Sequence, residues 1–228
     1  MKRKRLGLLI SGRGSNMAAI LAAAAPDYPA EPVLVLSNRA DAAGLEVAKA
    51  RGVPTAVVES RAFKGDRAGF EAAMEAVLGQ HGVEIIALAG FMRVLTADFV
   101  RRWEGRLINI HPSLLPAFPG LDTHARALAA GVRLHGCTVH LVTAGVDEGP
   151  IIAQAAVPVL PDDTEASLAA RVLAAEHRLY PAALSWLAAG QVRLAAGRAV
   201  ITGVDSAVDS LLNPLPRAAL LSTQCSKV

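Results

Sequence analysis

Cysteine and aromatic residues are scarce in this chain. Its 228 residues include two cysteines, Cys137 and Cys225, and aromatic side chains make up 4% of the composition. Two cysteines without a Cys-x-x-Cys pair give neither a disulfide framework nor a cysteine-based metal motif. A nucleic-acid binder normally shows a broad basic surface or interleaved aromatics. The sequence therefore excludes a disulfide-stapled module and disfavours a nucleic-acid partner.

Charge and long apolar runs are also limited. The net charge is +3, and the dense basic run from Lys2 to Arg5 stands in front of a predicted strand. The apolar segment that follows, LGLLI, is too short for the core of a signal peptide and gives way at once to SGRGSN. No segment approaches the roughly 18 apolar residues of a membrane span. We expect a soluble, cytoplasmic protein with no membrane partner.

Motifs for covalent and metal catalysis are absent from the sequence. It contains neither a Gly-x-Ser-x-Gly nucleophile elbow nor a His-Glu-x-x-His motif, so a reaction would draw its nucleophile from the substrate. We expect no metal. One alternative stays open, because His111, His140 and Asp147 could form a two-histidine, one-carboxylate site, with His135 five residues before His140.

Short apolar runs alternate with Ala-rich helical segments through the first half of the chain. LGLLI, PVLVLS, TAVVE and EIIALAG have the apolar character of buried parallel strands, with helices predicted near residues 15–25, 40–51 and 66–81. LINI, CTVHLV and IIAQAAVPV suit a mixed continuation of the same sheet. The pattern predicts an α/β fold with a doubly wound, mostly parallel sheet and helices on both faces.

A long helix is predicted from about residue 162 to residue 190. Asp162, Asp163 or Thr164 can cap its first turn, and Pro181 should kink or break it near Tyr180. A short strand pair, VRLAAGRAVITG, follows the helix.

The expected organisation is a single domain over residues 1–200, whose N-terminal half is Rossmann-like. Residues 201–228 form an apolar, Pro-containing tail that remains unassigned. At this length one domain is the natural expectation.

The segment LLISGRGSNMAAI places a Gly-rich turn between a strand and a helix. Backbone N–H groups at the start of that helix, together with its dipole, suit a phosphate beside Gly14, Ser15 and Asn16. The spacing matches neither the dinucleotide nor the Walker fingerprint, so a single phosphate fits best. The alternative is a plain tight turn in which Ser15 or Asn16 caps the helix.

Asn109 and His111 stand at positions i and i+2, where a strand meets the Pro-rich loop PSLLPAFPG. On a strand that spacing puts both side chains on one face. An amide and an imidazole suit the oxyanion that forms at a carbonyl carbon. Asp147, on a glycine-flanked turn after another strand, could orient the imidazole and favour its charged form. The three residues predict an acyl-transfer site; the alternative for His111 is a hydrogen bond to nearby backbone.

Two further segments could contact a ligand. The loop AGFMRVL follows a strand at the edge of the sheet where doubly wound folds bind ligands, so Phe91 to Leu95 could wall a flat apolar molecule. Glu176 borders the apolar face of the long helix, where a carboxylate must be hydrogen-bonded, paired or facing a ligand. The alternatives are core packing for Met92 and Leu95, and a Glu176 that reaches solvent.

Six motifs occur in the order and spacing of a known enzyme family: ISGRGSN, LAGFMRVL, INIHPSLLPAFPG, HGCTVHLV, DEGPII and EHRLYP. Over about residues 5–190 the chain resembles the glycinamide ribonucleotide formyltransferases, folate-dependent enzymes of purine biosynthesis. HPSLLP is shared with a wider formyl-group superfamily, whereas SGRGSN together with EHRLYP points to this branch. The resemblance implies that residues 1–200 form a formyltransferase domain.

The resemblance also implies a reaction and a role for each residue. The formyl group would pass from 10-formyltetrahydrofolate, a co-substrate, to the amine of glycinamide ribonucleotide. Asn109, His111 and Asp147 would be the catalytic group. The ribonucleotide phosphate would lie on Gly14, Ser15 and Asn16, and its ribose on Glu176. The folate would be contacted by Arg67, Met92, Arg93, Val94, Leu95 and Asn109.

Other classes of function remain open at this point. A 10-formyltetrahydrofolate hydrolase could use the same three residues with water as acceptor, and a metal-dependent hydrolase would lose its activity to a chelator. A pure binding module would bind folate or nucleotide without turnover. The expected assembly is a monomer or a homodimer that acts on small molecules.

Overall fold

The computed structural model describes residues 2–205 and Asn213. In this part of the chain the strands are β1 (Lys4–Ile10), β2 (Ala30–Ser37), β3 (Thr55–Val57), β4 (Ile85–Leu88), β5 (Leu107–His111), β6 (Leu134–Leu141), β7 (Ile151–Pro158), β8 (Val192–Ala195) and β9 (Arg198–Ile201). The α-helices are α1 (Ser15–Ala23), α2 (Gly44–Ala50), α3 (Arg67–Gln80), α4 (Ala97–Arg102), α5 (Thr123–Ala129) and α6 (Glu165–Ala188), and a 3-10 turn spans Ser60–Phe63.

Seven strands form one sheet in the order β3-β2-β1-β4-β5-β6-β7. Strands β1 to β5 pair in parallel, whereas β6 is antiparallel to β5 and β7 is antiparallel to β6. The strand order reverses direction at β1, as in doubly wound folds. The predicted fold class and the mixed continuation of the sheet are both confirmed.

Helices cover both faces of the sheet. Leu8 and Ile10 of β1 pack in one buried cluster with residues of α1, α2 and α6. Leu9, between them, points to the opposite face and packs in a second cluster with residues of α3 and α4. Alternation along a strand that is apolar on both faces thus builds two cores, one on each side of the sheet.

The long helix is α6, and of the three predicted cap residues Thr164 takes the position. Its hydroxyl accepts from the Ser167 N–H at 3.2 Å, while the Ser167 hydroxyl accepts from the Thr164 N–H at 3.0 Å. This reciprocal pair is a capping box, which satisfies donors that the first turn leaves free.

Pro181 was predicted to kink or break the long helix, and the break is wrong because α6 continues through Pro181 as one helix. The hydroxyl of Tyr180 lies 2.9 Å from the backbone oxygen of Leu88 and 3.1 Å from that of Ile108, in β4 and β5. The Tyr28 hydroxyl also donates to the Pro181 oxygen at 2.6 Å. These tertiary contacts offset the cost of an interior proline, about 3 kcal/mol.

Other details differ from the sequence pattern by small amounts. Helices α4 and α5, of six and seven residues, were not predicted. The strand pair β8–β9 is confirmed as a separate two-stranded sheet. The predicted tail lies largely outside the described residues, and the boundary at residue 200 stays a prediction. No helix in the described ranges is long and apolar enough to cross a membrane.

Candidate active site

Two cavities open beside the carboxyl ends of β1, β4 and β5. The larger has a volume of about 760 Å³ and the smaller about 510 Å³. Both are lined by Asn16, Gly90, Met92 and Arg93, so the two spaces adjoin along these residues. Their position agrees with the rule that doubly wound sheets bind ligands at the strand carboxyl ends near the reversal of strand order.

His111 ends β5 and lies between a backbone oxygen and a carboxylate oxygen. Its Nε2 lies 3.0 Å from the Phe118 backbone oxygen, and its Nδ1 lies 3.3 Å from Oδ2 of Asp147. His111 is buried and lines the wall of the larger cavity. The alternative contact to backbone occurs together with the predicted contact to Asp147.

Asp147 connects this imidazole to the Pro-rich loop. Its Oδ2 also accepts from the Gly120 N–H at 2.9 Å. The residue follows β6 on a turn with a left-handed backbone, φ 57°. One carboxylate thus faces His111 and fastens the end of the 112–120 loop over the cavity.

Asn109 lies two residues before His111 on β5, and its amide contacts His140 of the neighbouring strand. Nδ2 of Asn109 is 3.4 Å from Nε2 of His140, while Nδ1 of His140 is 3.0 Å from the Leu141 backbone oxygen. Nδ1 must be the protonated nitrogen because a carbonyl only accepts, so Nε2 can accept from Asn109. Burial lowers the pKa of His140, which keeps the ring neutral.

Sequence reasoning missed this role of His140, which it weighed only as a metal ligand. The signal lay in the strand register, because Asn109 and His140 are direct partners across the β5–β6 ladder. No group of three or more His, Cys, Asp or Glu side chains is arranged to hold a metal ion within the described ranges. His140 and Asp147 do approach each other, at 3.9 Å between Nε2 and Oδ1.

The Gly-rich turn leaves the start of α1 open. Gly14 precedes the helix with φ 68°, and no side chain in the described part of the chain caps the first turn. The alternative, a cap by Ser15 or Asn16, is thus absent. The smaller cavity is lined by Gly14, Ser15 and Asn16 together with the arginines Arg13, Arg39, Arg61 and Arg93. A helix start and guanidinium groups around one cavity suit an anion.

Asn16 instead turns its side chain toward Glu176 of α6. Its Nδ2 donates to Oε2 of Glu176 at 2.7 Å, and both residues are buried. Burial raises the pKa of Glu176, and the hydrogen bond from Asn16 opposes that rise. Both side chains line the larger cavity, so Glu176 faces ligand space rather than bulk solvent.

The 90–95 loop forms the apolar wall of the larger cavity. Phe91 and Leu95 are buried in the core, whereas Met92 is 66% exposed and Val94 is 61% exposed. Exposed apolar side chains at the mouth of a cavity are typical of a ligand surface. Core packing thus describes Leu95 but not Met92. Arg67, the first residue of α3, is exposed and lines neither cavity.

Comparison with known proteins identifies the family. A model of the formyl transferase family matches residues 4–184. The chain belongs to the formyl transferase family. The predicted family is therefore confirmed.

Two relatives of this formyl transferase align with it over most of the length of both proteins. It is 43% identical over 197 residues to the phosphoribosylglycinamide formyltransferase of Escherichia coli, covering 86% of this chain and 92% of that protein. The crystal structure of glycinamide ribonucleotide transformylase 1 from Symbiobacterium toebii matches with a TM-score of 0.84 and 47% identity, covering 87% of this chain and 94% of that one.

Longer and more distant relatives also match. The chain is 47% identical over 194 residues to the trifunctional purine biosynthetic protein adenosine-3 of Bos taurus, an alignment that covers 85% of this chain but only 19% of that protein. A formyltetrahydrofolate deformylase from Pseudomonas syringae has a TM-score of 0.81 at 25% identity, over 88% of this chain and 66% of that one. The hydrolase named as an alternative is thus a more distant neighbour.

Proposed function

We propose that this formyl transferase moves the formyl group of 10-formyltetrahydrofolate onto the amine of glycinamide ribonucleotide, a step of purine biosynthesis. The observation that carries the proposal is the meeting of two unlike cavities, one apolar and one lined by arginines, beside Asn109, His111 and Asp147. The names of the relatives agree with it.

The smaller cavity is the proposed site of the ribonucleotide phosphate. The N–H groups at Gly14, Ser15 and Asn16 would bind the phosphate at the start of α1, with the helix dipole and the nearby arginines favouring its charge. Glu176, buried and fixed by Asn16, would accept hydrogen bonds from the ribose hydroxyls. The amine of the substrate would then extend into the larger cavity, which Asn16 and Glu176 also line.

The larger cavity is the proposed site of the folate. Its exposed apolar side chains, Met92 and Val94, would pack against the flat pterin, with Arg93 and Leu95 beside them. Asn109 would reach the formyl group from β5. For Arg67 we keep the prediction of a folate contact.

The chemistry follows from the charges around the formyl carbon. The substrate amine attacks that carbon, a carbon–nitrogen bond forms, and the formyl oxygen becomes an oxyanion. The free N–H of the Asn109 amide and the His111 imidazolium stabilise this oxyanion. Asp147 holds the imidazolium and, through a water, helps to move the amine proton to N10 of the folate as the old carbon–nitrogen bond breaks. Folate is thus a co-substrate, and the proposal includes no metal.

A spectroscopic formyl-transfer assay tests the proposal. The full chain is incubated with 10-formyltetrahydrofolate in the presence and in the absence of glycinamide ribonucleotide. Turnover that requires the ribonucleotide and survives a chelator supports the transferase. Formate release without the ribonucleotide would support the hydrolase instead, loss of turnover with the chelator would support a metal enzyme, and binding without turnover would support a binding module.

The remaining expectations concern the setting of the enzyme. A cytoplasmic location, a monomer or homodimer, and the absence of a nucleic-acid or membrane partner stay predictions from the sequence. Size-exclusion chromatography with light scattering measures the assembly directly.

A further inference from the structure

Ser11 stands between the two cavities, directly after β1 and before the Gly-rich turn. It is 7% exposed and lines the smaller cavity. Its N–H donates to the Gly90 oxygen at 3.1 Å, and its hydroxyl oxygen accepts from the Met92 N–H at 2.8 Å. Ser11, a residue of the smaller cavity, therefore makes two hydrogen bonds to the start of the 90–95 loop.

The direction of the Ser11 hydroxyl is fixed from the other side. It donates to Oδ1 of Asn38 at 2.6 Å, and Nδ2 of Asn38 donates to the Ser60 hydroxyl oxygen at 3.2 Å. Ser11 and Asn38 follow β1 and β2, which are neighbours in the sheet. Because its proton is committed to Asn38, the hydroxyl must present a lone pair to Met92. A buried chain of satisfied polar groups of this kind holds its members in one geometry.

The 90–95 loop needs this support at Met92. Phe91 and Leu95 fix the loop through their buried side chains, but Met92 and Val94 project outward and are mostly exposed. Burial of their own side chains therefore does little to set the backbone between the two buried residues. The hydrogen bond from the Met92 N–H to Ser11 supplies the missing constraint.

We propose that Ser11 is a positioning residue for the folate, although it belongs to the cavity assigned to the nucleotide. It sets the backbone of Met92 and so the wall against which the pterin would pack. The inference rests on the proposed function for the identity of the ligand. Ser11, next to the Gly-rich turn proposed to bind the phosphate, would then govern the affinity for 10-formyltetrahydrofolate.

Ser11→Ala tests this directly. The change leaves the Met92 N–H and the Asn38 oxygen without their partner, so the KM for 10-formyltetrahydrofolate should rise about tenfold. The KM for glycinamide ribonucleotide and the kcat at saturation should change much less. Ser11→Thr keeps the hydroxyl and should recover most of the folate affinity. A matched control is Ser185→Ala in α6, where the hydroxyl donates to the Ala182 oxygen at 2.7 Å and lines neither cavity.

A second measurement needs no substrate. Amide hydrogen exchange of the ligand-free protein, followed by NMR, should show faster exchange at Met92 in Ser11→Ala and unchanged exchange in Ser185→Ala. Unfolding temperatures of the variants show whether they remain folded.

The possible results separate the two proposals. An unchanged folate KM in Ser11→Ala, or an equal rise in both KM values, would overturn the role of Ser11 while leaving formyl transfer intact. Slow exchange at Met92 in that variant would overturn it as well. Absence of transfer by the unaltered protein would overturn the proposed function and this inference together.

Discussion

At the scale of single residues, Asp147 carries the largest expected effect. Asp147→Asn keeps the size of the side chain and an oxygen for the Gly120 N–H, but removes the negative charge that faces His111. We expect kcat to fall by roughly 10²- to 10⁴-fold, with a smaller change in both KM values. Steady-state kinetics on folded protein measure this. Glu148→Gln alters the exposed neighbour on the same turn and should keep full activity. A normal kcat in Asp147→Asn would remove Asp147 from the mechanism.

Glu176 illustrates a residue whose burial works against stability. Because burial raises its pKa, the folded state releases the proton at a higher pH than the unfolded state does, so stability falls as pH rises through that window. Glu176→Gln removes this cost and keeps an acceptor for Asn16. We expect the variant to unfold at the same or a higher temperature at neutral pH. The KM for the ribonucleotide should rise about tenfold, because an amide oxygen accepts more weakly than a carboxylate.

Thermal unfolding and kinetics on the same preparation test both halves of that expectation. A lower unfolding temperature for Glu176→Gln would show that the carboxylate stabilises the folded state. An unchanged KM for the ribonucleotide would place the ribose elsewhere.

At the scale of elements, the start of α2 supports the Gly-rich turn that is proposed to bind the phosphate. The Gly44 N–H donates to the Gly12 oxygen at 3.0 Å. A Cβ at residue 44 would lie 3.1 Å from that oxygen and 3.2 Å from the Arg13 oxygen, both backbone atoms. Gly44→Ala should therefore displace the turn, raise the KM for the ribonucleotide several-fold and lower the free energy of unfolding by about 1 kcal/mol.

The matched control for Gly44→Ala is Gly79→Ala in α3. No atom lies within 4 Å of a Cβ built there, and the backbone is helical. Alanine is the better helix former, so this variant should be as stable as the parent or more so. Denaturant unfolding and ribonucleotide kinetics on the pair separate the two sites, and equal behaviour of both variants would contradict the role given to Gly44.

The elements that could be predicted from the sequence are those whose pattern is local. Continuous apolar runs identified the strands, and the i, i+2 spacing placed Asn109 and His111 on one face. What local patterns do not contain is tertiary context. Pro181 stays within α6 because Tyr180 and Tyr28 bind its surroundings, and His140 meets Asn109 only through the register of two strands. The polar chain from Ser11 to Ser60 likewise joins segments that are distant in sequence.

At the scale of the whole molecule, we expect two buried histidines and one half-buried histidine to make the fold sensitive to acid. Burial lowers the pKa of His124 and His140, and lowers that of His135 to about 4 from an ordinary 6.5. Below pH 6.5 the unfolded chain therefore binds protons that the folded chain does not, so stability falls as the pH drops toward 4. His135 alone should account for a loss on the order of 3 kcal/mol.

Denaturant unfolding between about pH 7.5 and pH 4.5 measures this loss. His135 packs edge-on against Phe118 and His124, at 5.9 and 5.3 Å between ring centres. His135→Phe keeps an aromatic ring at this place without a titrating group, so its stability should depend less on pH. Equal pH dependence in the variant and the parent would assign the acid sensitivity to other groups.

The left-handed backbone at Asp147 sets the stability of its turn against the catalytic role proposed for this residue. At φ 57° a glycine would be free of the strain that an aspartate carries. A library randomised at this position and sorted only for survival at high temperature weighs relief of that strain against loss of the contacts with His111 and Gly120, and any glycine clones would lack the proposed catalytic carboxylate. Directed evolution of this protein should therefore include a selection for activity in every round, because selection for stability alone does not retain a carboxylate at this position.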